Sequence, residues 1–241
     1  MKNILVTGVS KGLGLEIAKT LLEVGATVFG ISRKETEDIK NLKIQYPDRF
    51  KWMSYDLSDT ASVRNEIFKS FIGLTTPLHG FVNNAAIAYD DIVTNLKEEP
   101  LKKMFDVNVF TPMMLTKYAI RQALYGNNSL SIVHLSSISV HTGYKGLAMY
   151  AASKGALEAF SKNTAREWGE KSVRSNCLVA GFMETAMSST LTNEQKDRIY
   201  KRTSLKKPTS LKSVASTVRF LLSDEACSIT AQNIHVDSGT I

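Results

Sequence analysis

The sequence is short of the residues that mark several whole classes of protein. Only two cysteines occur in 241 residues, Cys177 and Cys227, and neither belongs to a CxxC pair. That excludes a disulfide framework, and both are expected as buried free thiols. The four histidines, His79, His134, His141 and His235, show no metal-ligand spacing, and His134 lies within a strand pattern as a core residue. Long apolar runs are missing too. Ile4-Leu5-Val6 is soon interrupted by Gly8 and Lys11, too brief a run for a secretion signal. The longest stretch without Asp, Glu, Lys or Arg, Gln122 to Tyr144, is filled with Ser, Asn, Gly and His and cannot cross a bilayer. A cytoplasmic protein with no membrane association is expected. Acidic residues are fewer than basic ones, 23 against 30, for a net charge of +7. No zinc-ligand pair, aromatic-rich RNP strand or long basic run accompanies that excess, so no nucleic-acid partner is expected. An anionic cofactor or an acidic protein partner remains open.

No Pro/Gly/Ser-rich linker and no internal repeat divides the chain, and 241 residues suffice for one well-buried domain, residues 1–241. Short apolar runs alternate with helical patterns throughout. Strands are expected at Asn3 to Val6, Thr27 to Ile31, Phe50 to Ser54, Gly80 to Val82, Leu130 to Leu135, Val173 to Val179 and Asn233 to Val236. Helices are expected at Gly12 to Val24, Glu35 to Tyr46, Ala61 to Phe71, Glu98 to Tyr125, Tyr150 to Trp168, Asn193 to Lys201 and Ser210 to Leu222. This alternation predicts a doubly wound α/β fold: seven parallel strands with helices on both faces.

The first unit carries the clearest signal. A strand ends in Thr7-Gly8-Val9-Ser10-Lys11-Gly12-Leu13-Gly14 and a helix opens behind it. Glycines let a backbone turn tightly and approach a pyrophosphate, whose charge the helix N-terminus stabilises, so this turn predicts a dinucleotide. About twenty residues on, where an NAD site places an acid for the ribose hydroxyls, the second strand ends Ser32-Arg33-Lys34. Arg33 would attract a 2′-phosphate that a carboxylate would repel, and Lys11 could reach the same group, so NADP(H) is the expected cofactor.

Tyr150 and Lys154 stand four residues apart on one face of a helix. An ammonium beside a phenol favours the phenolate, so Lys154 is expected to lower the Tyr150 pKa toward working pH and make the phenol a general acid or base. The same spacing also occurs on ordinary amphipathic helices with a solvated lysine.

Taken together and in order, Thr7-Gly8-x-x-x-Gly12-x-Gly14, Asp56-Leu57, Asn83-Asn84-Ala85-Ala86, Asn108, Ser137, Tyr150-x-x-x-Lys154 and Ala180-Gly181 resemble the short-chain dehydrogenase/reductase family over essentially the whole chain. The Phe182-Met183-Glu184-Thr185 segment and the closing stretch from Leu221 to Gly239 are most similar to those of its 3-oxoacyl-[acyl-carrier-protein] reductases. The resemblance implies a Rossmann fold and a catalytic set of Asn108, Ser137, Tyr150 and Lys154. Asn108 would hold a water on a proton path to Lys154, and Ser137 would hold the substrate carbonyl. Cofactor contacts would come from Gly8, Ser10, Lys11, Gly12, Leu13, Gly14, Ser32 and Arg33 at the phosphates, and from Asp56 and Leu57 at the adenine. Asn84, Ala85 and Ala86 would pack alongside, and Tyr150, Lys154, Gly181, Met183 and Thr185 would serve the nicotinamide end. Asp56, Asp59 and Thr185 also read as helix N-caps. The family usually has glycine at Ala86 and proline at Ala180. Met187 to Lys207 would form the substrate lid, with His141, Tyr144, Met149 and Met183 as substrate walls or ordinary packing.

The expected activity is therefore NADPH-dependent reduction of a ketone, a 3-oxoacyl thioester before others, with an acyl carrier protein as partner and a homotetramer as the assembly. A sugar, steroid or xenobiotic carbonyl is the alternative within the enzyme class, and a cofactor-binding sensor without turnover is the alternative outside it.

Overall fold

The first two strands, β1 (Asn3–Thr7, NILVT) and β2 (Thr27–Ser32, TVFGIS), are apolar nearly without a break because helices cover both faces of a parallel sheet. The structure, a computed structural model, describes residues 2–185 and 192–241. With β3 (Phe50–Ser54), β4 (Gly80–Asn83), β5 (Leu130–Ser137), β6 (Val173–Ala180) and β7 (Asn233–Val236), these strands form one sheet in the order β3-β2-β1-β4-β5-β6-β7. Every pairing is parallel, with registers such as Val6↔Gly30, Val82↔Val133 and Ser137↔Ala180. The order reverses between β1 and β4, so the connections leaving their carboxyl ends run to opposite faces of the sheet and open a crevice where open α/β sheets bind ligands.

On one face lie α1 (Gly12–Glu23), α2 (Glu37–Gln45) and α8 (Leu211–Leu222), whose Ile17, Leu21, Ile39, Val214, Val218 and Leu221 close over Val6, Val28 and Val133. On the other lie a helix at Val63–Ile72, α4 (Thr111–Tyr125) and α6 (Ala148–Trp168). There Phe68, Leu115 and Ala119 pack on Leu5, Phe29 and Phe81. Phe29, Phe68 and Phe81 are essentially inaccessible, and full burial of such a side chain is worth about 2–3 kcal/mol. α2 starts at Glu37 rather than Glu35 because Thr36 caps it, its Oγ1 accepting from Ile39 N. α7 (Asn193–Arg202) opens on a reciprocal capping box between Thr192 and Gln195.

One expected helix is broken. The span from Glu98 to Tyr125 divides into α3 (Glu98–Phe105), a π-turn at Asp106–Phe110, and α4. Pro112 has no N–H to continue the regular ladder, and Thr111 N donates to Asp106 O, five residues back. The Val63–Ile72 helix is also wound with π bonding, which helical periodicity does not reveal. A short α5 (Ser139–Thr142) follows β5 with no separate sequence signal. Both cysteines are free, as expected, but Cys227 is exposed and only Cys177 is buried. Among the described residues, no helix is long and apolar enough to cross a membrane.

Candidate active site

The crevice at the carboxyl ends of β1, β2, β4, β5 and β6 holds a cavity of about 290 Å³. Its floor is the glycine turn. Gly8 has φ +79°, and a side chain at Gly14 would put its Cβ 2.1 Å from Gly8 O, so the turn closes onto α1 only with glycine at both places. Asn84 lines the cavity but commits its amide to this floor: Nδ2 donates to Thr7 O at 2.9 Å and more weakly to Gly8 O. Thr7 Oγ1 in turn accepts from Asn84 N and Ala85 N, both at 3.1 Å, locking β1 to the segment after β4. Ala86, where the family usually has glycine, does not need positive φ and is accommodated.

Ser10, Lys11, Gly12, Leu13, Ser32, Arg33, Asp56 and Leu57 line the same cavity, together with Ala85, Ala86, Met183 and Thr185. Arg33 and Lys11 form no salt bridge with a described residue. The Ser32 hydroxyl is already used, accepting from Trp52 Nε1 and donating to Lys34 O. Asp56 Oδ1 accepts from the Ser58 N–H and hydroxyl, both at 2.9 Å, and these bonds, with Arg33 and Lys103 nearby, hold its carboxyl below the usual range. Asp59 accepts from Ala61 N and Ser62 N in the turn ahead of the Val63–Ile72 helix, whose N-cap Ser62 makes no side-chain cap.

Tyr150 and Lys154 share this cavity, on the α6 face that meets the end of β5. Lys154 is 2% exposed; its Nζ donates to Leu135 O at 2.8 Å and lies 5.8 Å from the centroid of the Tyr150 ring. Burial pulls the ammonium down to about 8. The expected depression of Tyr150 is not found: burial, followed by the Asp90 carboxylate, pushes the phenol up to about 12. The ammonium is directed at a strand carbonyl, and loss of hydration outweighs its attraction.

Ser137, Asn108 and Gly181 fall outside the cavity lining. Ser137 ends β5, and its Oγ accepts from Ser139 N (3.2 Å) and Ser139 Oγ (3.0 Å), so its own proton is left for another acceptor. Neighbouring Ser136 does line the cavity, but its hydroxyl is spent on Glu158. Asn108 sits in the π-turn with its side-chain amide tied to two other segments. Oδ1 accepts from Ile87 N, and Nδ2 donates to Ile87 O and to Ser153 Oγ, tying the loop after β4 to α6. Gly181 packs under the cleft, where a Cβ would meet Thr209 Oγ1 at 2.3 Å and Asp237 Cα at 2.5 Å.

Of the proposed substrate walls, His141 turns inward to Glu158, and Met149 is buried. His134 is fully buried between Phe81 and Phe160, as a core residue should be, and burial pushes its pKa down to about 3. Of the expected lid, residues 187–191 lie outside the described residues; the rest includes α7, joined to Glu184 through Tyr200 Oη at 2.7 Å. The cavity also takes Ala180 of the Ala180-Gly181 motif, and Tyr55, Ile87, Lys103, Val107, Leu135 and Ser136, which the motifs do not contain. Ile87 and Ser136 adjoin motif residues and could have been added by proximity. Lys103 arrives on α3 from outside every motif, and only the chain path places it there.

Comparison with known proteins agrees with this architecture. A family model described as Enoyl-(Acyl carrier protein) reductase matches residues 8–240. The 3-oxoacyl-[acyl-carrier-protein] reductase FabG of Salmonella typhimurium is 32% identical over 98% of this chain and 95% of its own. A solved structure described as a putative betaketoacyl-ACP reductase superposes with a TM-score of 0.85 at 26% identity, covering 99% of this chain and 97% of that one. 4-Hydroxyisoleucine dehydrogenase complexed with NADH superposes at 0.92 with 24% identity, covering 100% and 98%, a likeness of fold. The glycine turn, the Tyr150–Lys154 pair and this full-length similarity together make the chain an oxidoreductase of the short-chain dehydrogenase/reductase family.

Proposed function

We propose that the protein is an NADPH-dependent reductase of 3-oxoacyl thioesters, with Tyr150 as the proton donor and an acyl carrier protein presenting the substrate. The observation that carries this reading is Tyr150 itself, a phenol kept protonated by burial, one helical turn from a buried ammonium and at the end of a strand whose Ser137 has a proton to give. The cleft fits a phosphorylated dinucleotide. Its glycine floor admits no side chain at Gly14, and Lys11, Arg33 and Lys103 bring positive charge to its rim without a salt bridge to any described residue.

Bound NADPH supplies the hydride. The chain does the rest: backbone N–H groups of the turn hold the pyrophosphate at the α1 N-terminus, and Arg33 and Lys11 hold the 2′-phosphate. Asp56 and Leu57 hold the adenine, and Asn84, Ala85 and Ala86 flank the dinucleotide. Lys154 has two further N–H bonds for ribose hydroxyls, and Gly181, Met183 and Thr185 frame the nicotinamide end. Ser137 donates to the substrate carbonyl oxygen. Tyr150 protonates the same oxygen as it becomes an alkoxide, which is more basic than a phenolate, so transfer is downhill even from a phenol near 12. The substrate class follows the similarity to the FabG reductase, and the net charge of +7 suits an acidic carrier protein. Residues 1–241 act as one domain. A homotetramer built through α4 and α6 would cover Phe110, Leu124 and Tyr125, which are now exposed.

Stopped-flow loss of NADPH absorbance with acetoacetyl thioesters, free and carrier-bound, tests the reading. Tyr150→Phe should lose roughly 10²- to 10⁴-fold in turnover, with NADPH affinity by calorimetry unchanged. Full-rate Tyr150→Phe would falsify the mechanism. Turnover confined to sugar, steroid or xenobiotic ketones would replace the substrate, and NADPH binding without turnover on any ketone would make the protein a sensor.

A further inference from the structure

Glu158 lies on α6 one turn beyond Lys154 and two beyond Tyr150, and it is 7% exposed. A buried carboxylate is costly unless its oxygens are hydrogen-bonded, and these are. Oε1 accepts from the Ser136 hydroxyl and lies 3.1 Å from His141 Nε2; Oε2 accepts from Asn233 Nδ2 at 2.6 Å. The His141 ring also packs edge-on against His235 of β7, with centroids 4.9 Å apart.

These partners bracket one residue. Ser136 immediately precedes Ser137 at the end of β5, and His141 lies on α5, the helix whose Ser139 makes both hydrogen bonds to the Ser137 hydroxyl. Glu158 thus grips the chain on both sides of Ser137 and ties it to the helix that carries Tyr150. We propose that Glu158 is a positioning residue, clamping Ser136 and His141 so that the Ser137 hydroxyl is held in register with Tyr150. This rests on the role given above to Ser137.

The clamp works by hydrogen bonds, so an amide should serve. In Glu158→Gln, Oε1 still accepts from Ser136 and His141. The new N–H faces Asn233, whose Oδ1 is buried with no partner among the described residues and can accept after the amide flips. Glu158→Ala leaves all three donors unpaired. With acetoacetyl-CoA as probe, Glu158→Ala should lower kcat about ten- to hundred-fold, with KM and NADPH affinity within about two-fold, and Glu158→Gln should restore kcat to within a few-fold. The Glu158→Ala/Ser137→Ala double variant should be no slower than Ser137→Ala, since the first change acts through the second residue.

Wild-type kcat in Glu158→Ala beside a slow Ser137→Ala overturns the clamp alone. Additive losses in the double variant, or Glu158→Gln as slow as Glu158→Ala, also overturn it. Full activity in Ser137→Ala overturns the role of Ser137 itself, which separates that failure from the others. Should Glu158→Ala not fold, Ser136→Ala cuts only the strand-end link. It should cost roughly five-fold in kcat with unchanged KM, and an unchanged kcat overturns the proposal.

Discussion

Lys154 shows how burial changes a residue's chemistry. Its ammonium titrates near 8 rather than 10.5, so the positive charge is present below that pH and lost above it. If that charge holds ribose hydroxyls, kcat/KM for NADPH should fall above pH about 8, and Tyr150, near 12, adds no limb there. Steady-state kinetics at varied NADPH from pH 6 to 10 reads this; a flat profile to pH 10 would remove Lys154 from cofactor binding. The same shift has a sign for stability. The unfolded chain binds the proton more tightly between about 8 and 10.5, so the native state gains stability as pH rises through that window. Lys154→Met should therefore abolish turnover yet unfold no lower than the parent at pH 7. At the other end of the cleft, Arg33→Asp should move the NADPH-to-NADH preference roughly ten-fold or more toward NADH, the worth of one charge-assisted bond. Fluorescence titration with the two nucleotides measures it. Arg33 could be placed at the cleft from the sequence because it follows the end of a strand. Lys103 could not, because α3 reaches the rim only through the chain's path.

The π-turn is the element that decides what Asn108 does. A continuous helix from Glu98 to Tyr125 is what the apolar spacing predicts, and Pro112, within it, cannot donate to the helical hydrogen-bond ladder. The widened turn carries Asn108 inward to Ile87 and Ser153, making it a fastener between the loop after β4, the long helix and α6. Asn108→Ala leaves the Ile87 N–H and carbonyl without these partners. It should cost about 3 kcal/mol, or roughly 10 °C in Tm by calorimetry. A loss of activity without a loss of Tm would argue instead for a direct part in proton transfer.

At the scale of the whole molecule, the sheet's core holds a titratable group that favours the native state only when neutral. His134 is sealed between Phe81 and Phe160, with Asn83 Nδ2 3.3 Å from Nδ1 and no partner at Nε2 among the described residues. Its pKa is about 3 in the native state against 6.5 when unfolded, so the unfolded chain takes up the proton first as pH falls. Stability should be full above about pH 6.5 and decline below it. Thermal melts between pH 7 and 5 should show Tm falling with pH, and His134→Phe should flatten that slope. An identical slope in the variant would assign it to other groups.

The order of elements, the glycine turn, the parallel sheet and the cofactor end of the cleft were determined by the sequence alone, because each depends on local backbone freedom or on the period of apolar residues. Gly14 could be identified without coordinates, since its need for a bare Cα arises within the same turn. The ionisation of Tyr150 and Lys154, the inward turn of Asn108 and the grip of Glu158 on both sides of Ser137 were decided only by the tertiary structure. Hydration, and the partners available from other elements, set those properties, and neither can be read from residue spacing.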